Sequence, residues 1–524
     1  MKRKFILNGL LLTAVSLVVR TVGLALGAYI GKTVGAEAVG LNGLIMTVYS
    51  FSVTLATSGV GLTVTRLVAS ALAQKGKKEA ASVLWGAVLY SLFFGALSLL
   101  LLLLLARPLA EIAVGDIRAY RAFTLLSLSL LPTALSGVAG GYFIAVRRVG
   151  RNAALQIIGQ GARIGFTVLF LTRVQGMGAE EAVCALALGI TLTEWILLLV
   201  SAALFFFDVI RHGLFTITTP ALGRVSGMAM PLAFSAYVRS LLLTLEHSII
   251  PSRLKMHGLG KGEALSEYGA LHGMAVPTVL YPMTPITAYA GLLVPELAAM
   301  RVGSRRMSHI AKDAVKTTLR YCAVASVAML CFAEDIGYLV YGSYSAGRYI
   351  ALLAPIIPIM YLDHVTDAML KGIGEQVYSM WVNIADSLIS IALVFVLLPI
   401  MGASGYAAVI MIMELFNFTL SYARLKKRVR IGKEAFSAIT VPLICSLSAM
   451  VLTRLLFGAQ GSSVTVAITV GKVIFYFASS YCLWRLISPA VHRMRASGRS
   501  RAKASRLRLF RHRGSASRES SRRL

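Results

Sequence analysis

The sequence is short of charge, and of acidic charge above all. Charged residues make up 14% of the 524 residues, and 22 Asp and Glu stand against 52 Lys and Arg. A soluble domain carries about 25% charged residues, so this composition excludes an ordinary soluble protein. The five cysteines have neither metal-ligand spacing nor the pattern of a disulfide framework. The G-x-x-x-x-G-K-[ST] loop of nucleotide-binding proteins is also missing. We therefore expect no cofactor, no resident metal and no direct use of ATP.

What the chain has in quantity is apolar sequence, which makes up 57% of its residues. A spanning helix needs about 20 apolar residues to cross about 30 Å of hydrocarbon, and fourteen stretches meet this requirement. The sequence therefore predicts an all-α polytopic membrane protein with about 14 transmembrane helices, in two six-helix lobes plus two C-terminal helices. The predicted spans are 5–30, 39–63, 81–106, 122–146, 152–172, 182–207, 225–250, 267–298, 314–337, 349–370, 376–400, 403–423, 435–457 and 463–487.

Basic residues alternate between rich and poor loops along the chain. Lys and Arg near helix ends mark the cytoplasmic side, so the pattern predicts a cell-membrane protein with both termini in the cytoplasm. The basic clusters assigned to this side are 2–4, 75–78, 147–148, 301–306 and 424–430.

The predicted organisation follows from the spans and the loops between them. The second and eighth spans both end in G-L-x-V-x-x-L-x-A, at 61–69 and 291–299, which favours two related lobes around a central cleft. We assign an N-terminal lobe, a linker, a C-terminal lobe, two further helices and a basic tail. Their bounds are 1–207, 208–224, 225–430, 431–488 and 489–524.

The tail from residue 489 is rich in Arg and Ser and cannot form a core, so we expect it to be disordered and cytoplasmic. Anionic lipid headgroups are its expected partner. Nucleic acid is not expected, because the tail lacks the interleaved aromatic residues that stack on bases.

Ionisable residues stand inside several predicted spans. An Arg or Lys at the bilayer centre costs about 2.5–3.5 kcal/mol on insertion scales, so each must be hydrated in a cavity or paired. Arg20 has few acidic residues at membrane depth in its half of the chain, and we expect it to line a cavity. Arg239 and Glu246 are seven residues apart on one helix face and fit either an internal network or a cavity wall. We expect Lys472 to be paired.

Three aspartates are candidates for binding a coupling ion. Asp363 and Asp367 are one turn apart and could form a cation site with Asp386, although a hydrated helix end would also accommodate the first two. Prolines also cluster in the seventh and eighth spans, where they remove backbone hydrogen bonds and bend helices. The predicted hinge positions are Pro231, Pro277, Pro282 and Pro285.

Six short segments carry a resemblance to a known family. They are 20–23 (RTVG), 35–41 (GAEAVGL), 58–62 (SGVGL), 249–254 (IIPSRL), 268–277 (YGALHGMAVP) and 293–297 (LVPEL). In these segments the chain resembles the stage V sporulation protein B group, and the resemblance covers roughly residues 1–490. This group is similar to the MurJ-type lipid II flippases and belongs to the MOP exporter superfamily, with the Wzx-like polysaccharide exporters and the multidrug exporters.

The resemblance implies an alternating-access flippase that moves an undecaprenyl-linked lipid, a peptidoglycan precursor or polysaccharide, across the cytoplasmic membrane. Arg20 matches a first-helix arginine of that pattern, whereas Leu26 and His272 stand where lipid II flippases carry arginines. This reduced cationic lining favours the sporulation or polysaccharide branch. Substrate-binding candidates are then Arg20, Arg239, Glu246 and His272. The chain is expected to act as a monomer.

Two other functions compete with this one. The aspartates favour a cation-coupled multidrug exporter of the same superfamily, against which the extra pair of C-terminal spans counts. A membrane-embedded transferase would need an acid or a histidine with an acid at the membrane surface. Neither Glu180 and Glu181 nor His309 with Asp313 has a supporting motif, so no catalytic residue is predicted.

Overall fold

The computed structural model is built of α-helices joined by short π- and 3-10 segments, and it contains no β-strand among the residues that it describes. These residues are 2–74, 76–146, 148–214, 219–298, 300–429, 432, 437–457, 468–485 and 487, and the side chains of 1–17 and Arg20 are outside the description. The helices are α1 (Lys2–Thr57), α2 (Val60–Gln74), α3 (Lys77–Leu104), α4 (Ala106–Pro108), α5 (Ala119–Ala145), α6 (Val149–Arg173), α7 (Ala179–Arg211), α8 (Leu222–Met256), α9 (Lys261–Tyr268), α10 (Val276–Leu280), α11 (Thr284–Ala298), α12 (Arg305–Cys331), α13 (Ala333–Tyr341), α14 (Tyr344–Leu353), α15 (Ile357–Gly372), α16 (Gln376–Arg428), α17 (Thr440–Phe457) and α18 (468–485).

The helices account for the predicted number of spans. Nine helices in the described part of the chain are long and apolar enough to cross a membrane. Helices α1 and α16 are 56 and 53 residues long, or about 80 Å, which is more than twice the hydrocarbon thickness. Gly35 (φ 78°) interrupts α1 and Gly402 (φ 60°) interrupts α16, so each contributes two spans. With the bent α8, the interrupted segment 261–298 and α18, the architecture agrees with the polytopic all-α prediction of about 14 spans.

Gly35 divides α1 into a first arm, 2–34, and a second arm, 36–57. Both arms extend from Gly35 toward the same end of the bundle. Glu37 pairs with Arg118 at one end of the bundle, whereas Ser58, beyond the other end of the second arm, contacts Tyr237 and Tyr90. Thr21 in the first arm reaches Tyr281 in the middle of the segment 261–298, at 3.1 Å. We call the end with Gly35 and Asp116 the Gly35 end, and the opposite one the linker end.

The segment 261–298 is a broken helix. A π-helix (Gly269–Ala275) and a 3-10 turn (Tyr281–Met283) separate α9, α10 and α11. Pro285 has no N–H for the carbonyl of Tyr281, which instead accepts a bond from Thr284 Oγ1 at 2.6 Å. The hydroxyl groups of two tyrosines of neighbouring helices donate to the carbonyls of Val279 and Pro282, each at 2.6 Å. These bonds allow irregular backbone at membrane depth.

The predicted hinge prolines all lie at or near helix irregularities. Helix α8 bends by 45° between Pro231 and Ala236. Pro277 is at the start of α10, Pro282 is in the 3-10 turn and Pro285 is at the start of α11. Motion at these positions remains a prediction.

The connection between α7 and α8 is shorter than the predicted linker. Helix α7 continues to Arg211, because Asp208 is fully buried between the guanidinium groups of Arg148 and Arg151, the latter at 2.6 Å, and accepts a bond from Tyr142 at 2.9 Å. This network compensates the buried carboxylate, so the helix extends beyond its apolar part.

Candidate transport cavity

Backbone contacts between small residues close the Gly35 end of the seam between the two halves of the chain, α1–α7 and α8–α18. A Cβ atom on Gly40 would overlap the carbonyl oxygen of Leu265, and one on Gly269 would overlap the carbonyl oxygen of Ala36. Only glycine permits this approach. The second arm of α1 therefore packs directly on the backbone of α9 and of the π-helix.

An ionic clasp lies next to this glycine seal. Asp116, which is 2% exposed, is 2.7 Å from Arg118 and 3.3 Å from Lys261 at the start of α9, and Arg118 reaches Glu37 at 2.9 Å. Burial alone would raise the pKa of Asp116. The hydrogen bonds from Arg118 and the charges of Arg118 and Lys261 outweigh burial and hold this pKa below its usual range. The carboxylate thus ties loops of the two halves together.

The clasp should not depend on pH in the physiological range. The pKa of Asp116 is lowered in the folded state, so its stabilising effect is complete above the ordinary carboxyl value of about 3.9. The effect is lost only as the pH falls through the lowered pKa. We expect the rate at which an impermeant maleimide labels a cysteine at Ser50 to stay constant between about pH 5 and 8, once it is divided by the rate for a free thiol at the same pH to correct for the thiolate fraction. Asp116→Asn should raise this rate at every pH. Glu111→Gln, which breaks only a local pair with Arg107, should not change it.

A cavity of about 320 Å³ lies between the halves, deeper than the seal. The second arm of α1 contributes Thr47 and Ser50, and α8 contributes Ser240 and Thr244. Two histidines, His247 of α8 and His272 of the π-helix, complete its polar lining. The hydroxyl and imidazole groups can donate hydrogen bonds to sugar or phosphate oxygens.

The histidines belong to a packed ring cluster. Their ring centroids are 4.2 Å apart, and His272 stacks on Tyr268 at 5.2 Å. His247 Nδ1 is 3.1 Å from the hydroxyl of Tyr268. Tyr406 closes the cluster at 6.5 Å from His272. π-helical turns are rare and often occur at functional sites, and this one places His272 at the seam.

A second, more polar cavity of about 180 Å³ lies within the C-terminal half. Three carboxylates line it, those of Asp363, Asp367 and Glu414, and Asp386 lies beside Asp363. Lys371 pairs with Asp367 at 2.6 Å, and Arg239 lines the same cavity. The remaining polar lining consists of His364, Ser379, Asn383, Asn417 and Ser421.

This acidic cavity contains buried oxygen atoms without hydrogen-bond partners. They are Oδ1 of Asp363, Oδ1 of Asp386, Oδ1 of Asn417 and Oγ of Ser379. Such groups are costly unless a proton or a cation satisfies them. No three His, Cys, Asp or Glu side chains of the described residues converge as a metal site. The arrangement therefore suits a proton, or a cation held mainly by neutral oxygens and water.

The structure separates the predicted substrate-binding residues into three places. His272 lines the cavity between the halves, and Arg239 is exposed beside the acidic cavity. Glu246 is buried and accepts a bond of 2.5 Å from Ser390 rather than from Arg239. The side chain of Arg20 lies outside the described side chains. The three coupling-ion candidates, Asp363, Asp367 and Asp386, are brought together.

Sequence reasoning missed the neutral polar partners of these groups. Asn383 precedes Asp386 by three residues, and Asn417 follows Glu414 by three, so each pair shares a helix face. This spacing could have identified both asparagines. Tyr268 and Thr244 gave no comparable signal, because their roles depend on which helices meet.

Comparison with known proteins agrees with this architecture. The model of the family "Polysaccharide biosynthesis protein" matches residues 5–300, more than half of the chain. The chain belongs to the polysaccharide biosynthesis protein family. The MatE family model matches residues 263–396.

Curated and structural relatives of this family member cover most of its length. It is 24% identical to stage V sporulation protein B of Bacillus subtilis, over 88% of this chain and 91% of that protein. Its fold is similar to lipid II flippase MurJ in an inward closed conformation, with a TM-score of 0.70, 12% identity, and coverage of 91% and 99%. An inward-facing multidrug resistance MATE family transporter of the MOP superfamily gives a TM-score of 0.60, 18% identity, and coverage of 78% and 98%.

Proposed function

We propose that the protein is an alternating-access flippase that moves an undecaprenyl-linked peptidoglycan precursor or polysaccharide across the cytoplasmic membrane. The observation that carries this proposal is a polar cavity between two helical halves, which close-packed backbones and an ionic clasp hold together at one end. Such a seal can part without breaking a helix. The family and the relatives named above, a sporulation protein and a lipid II flippase, support a lipid-linked substrate.

Within this proposal the charged groups have distinct roles. Arg20 and Arg239 would bind the diphosphate of the lipid, because a guanidinium presents a planar fork to phosphate oxygens and is always charged. His272 would contact the sugar or the phosphate from the cavity wall. Glu246, held by Ser390, would position the neighbouring ring cluster or accept a sugar hydroxyl.

The test is lipid flipping in proteoliposomes with a fluorescent undecaprenyl-diphosphate sugar. Arg20→Ala and Arg239→Ala should each lower the rate about 10–100-fold, the value of a hydrogen bond to a charged group. Arg107→Ala, which removes a 75%-exposed arginine paired only within its own turn, is the matched control. Wild-type rates in both cavity variants would contradict the assignment.

We further propose that the acidic cavity binds the coupling cation, a proton or a sodium ion, through Asp363, Asp367 and Asp386. Four carboxylates outnumber the basic side chains of Arg239, Lys371 and His364 beside them, so a proton or another cation is needed to neutralise them, and this excess supports the proposal. Asp386→Asn should lower flipping driven by an ion gradient about 5–150-fold, the usual range of coupling between two sites. Asp313→Asn, at a half-exposed position, should have no effect. If Asp386→Asn lowered lipid flipping equally when no ion gradient is present, the residue would have a structural role instead.

The acidic cavity also favours a second candidate, a cation-coupled multidrug exporter. The resemblance to the MATE fold is compatible with it. Dye efflux from cells that express the chain separates the two functions. Efflux that depends on Asp386, together with no lipid flipping, would replace the first proposal.

The organisation predicted from charge completes the proposal. The lobes are 1–211 and 222–430, bounded by the end of α7 and the start of α8, and they are followed by 431–488 and a basic tail at 489–524 that contacts anionic lipids. The tail lies outside the described residues. With both termini in the cytoplasm, the Gly35 end faces outward. The cavity would then load from the cytoplasm, and the protein would act as a monomer.

A further inference from the structure

An apolar groove of about 450 Å³ lies on the bilayer side of the seam between the halves. The second arm of α1, α3 with the π-helix Leu109–Val114, and α8 form its walls. Along α8 it extends from Leu241 to Lys255, which is about 21 Å at 1.5 Å per residue. It therefore covers more than half of the hydrocarbon thickness of about 30 Å, and it reaches the Gly35 end.

One helix contact separates the apolar groove from the cavity that lies between the halves. Thr244 of α8 lines both spaces, and its hydroxyl is 3.3 Å from the carbonyl oxygen of Thr47. On the bilayer side of this contact the walls are mainly aliphatic, and they include Leu101 (38% exposed) and Leu245 (46% exposed). Water in such a space at hydrocarbon depth is unfavourable, whereas a lipid chain fills it without breaking a hydrogen bond.

The Gly35 end of the groove offers a cation. Lys255 is exposed, in the last turn of α8, and it forms no ion pair with any described residue. Ser252, one turn before it, lines the same wall. An unpaired ammonium at the interfacial end of an apolar groove complements a lipid with a phosphate headgroup.

We infer that this groove binds one acyl chain of an anionic phospholipid, with the headgroup phosphate at Lys255 and the chain along α8 toward Leu241. The bound chain contacts both halves beside the Thr47–Thr244 contact. The phospholipid therefore stabilises the sealed arrangement, and it must be displaced or rearranged when α1 and α8 separate. This site is independent of what the cavity transports.

Photocrosslinking tests the site with the full chain in nanodiscs of phosphatidylcholine and a minority of phosphatidylglycerol that carries a diazirine in one acyl chain. We expect mass spectrometry to find the label mainly on groove peptides of α1, α3 and α8. Leu245→Trp, which fills the groove, should remove this labelling. Leu199→Trp, at a 67%-exposed position on α7, should leave it unchanged.

The headgroup contact is tested separately, with a variant that keeps the apolar walls. Lys255→Gln should lower the preference for phosphatidylglycerol over a diazirine phosphatidylcholine about fivefold, as expected for one basic residue near the surface. Lys255→Arg should restore it.

Two results would overturn the inference. One is labelling of the groove no stronger than labelling of the α7 surface. The other is efficient competition by undecaprenyl phosphate but not by unlabelled phosphatidylglycerol, which would assign the groove to a polyprenyl chain. Neither experiment measures transport, so failure of the flippase proposal would leave both readouts unchanged.

Discussion

Replacing Gly40 with valine is expected to hold the Gly35 end apart and to lower transport about 100-fold. The new side chain would overlap the carbonyl oxygen of Leu265, and a backbone atom cannot rotate away as a side chain can. Overpacking costs about 1–3 kcal/mol, and the upper end of this range corresponds to a shift of about 100-fold between closed and open states. Lipid flipping in proteoliposomes measures the loss.

The position of the seal is measured by the labelling of a cysteine at Ser50, which lines the cavity. In a Cys482→Ser background, an impermeant maleimide added from outside should react faster when Gly40 is valine. Gly27→Val is the matched control, because Gly27 lies in the same helix with nothing within 4 Å of an added Cβ. Equal labelling of all three proteins would show that the seal is elsewhere.

Replacing Lys472 with methionine is expected to destabilise the protein by about 3–5 kcal/mol. This is the cost of removing one partner of a buried ion pair, because the other charge is then buried without compensation. Its ammonium group is 3.7 Å from Asp335, and the two side chains are 8% and 2% exposed. Asp335 is in the first turn of α13, where the helix dipole favours its charge. The pair thus attaches α18 to the C-terminal half.

Thermal unfolding in detergent measures this effect. The double variant Lys472→Met with Asp335→Leu removes both charges and should recover most of the stability. Lys426→Met changes the same residue type at an exposed position in the last turn of α16 and provides a comparison. A double variant as unstable as the single one would mean that packing, rather than charge, holds α18.

The spans could be predicted because their signal is local. Each depends on the composition of about 20 consecutive residues, so even the two interrupted helices were divided correctly near Gly35 and Gly402. The pairing of Lys472 was also predictable, since an unpaired ammonium is costly in a membrane. Its partner was not, because Asp335 meets Lys472 only through the packing of α13 against α18.

The seal could not be predicted from the sequence. Glycine is frequent in membrane helices, and the chain contains 46 glycines. Gly40 and Gly269 lie in segments that carry the family resemblance, but nothing in the sequence indicated that the two meet. Their importance lies in a crossing of two backbones that are more than 200 residues apart in the chain. The groove at Lys255 was missed for the same reason, since its three walls come from distant segments.

The glycine seal also has an electrical consequence for the cell. Where the backbone of α1 lies against the carbonyl oxygen of Leu265, the gap is too narrow for a file of water molecules. Protons and small ions therefore have no wet path at this point while the polar cavity below is hydrated. A carrier built this way can expose a large hydrophilic space on one face of an energised membrane without allowing ions to leak across that membrane.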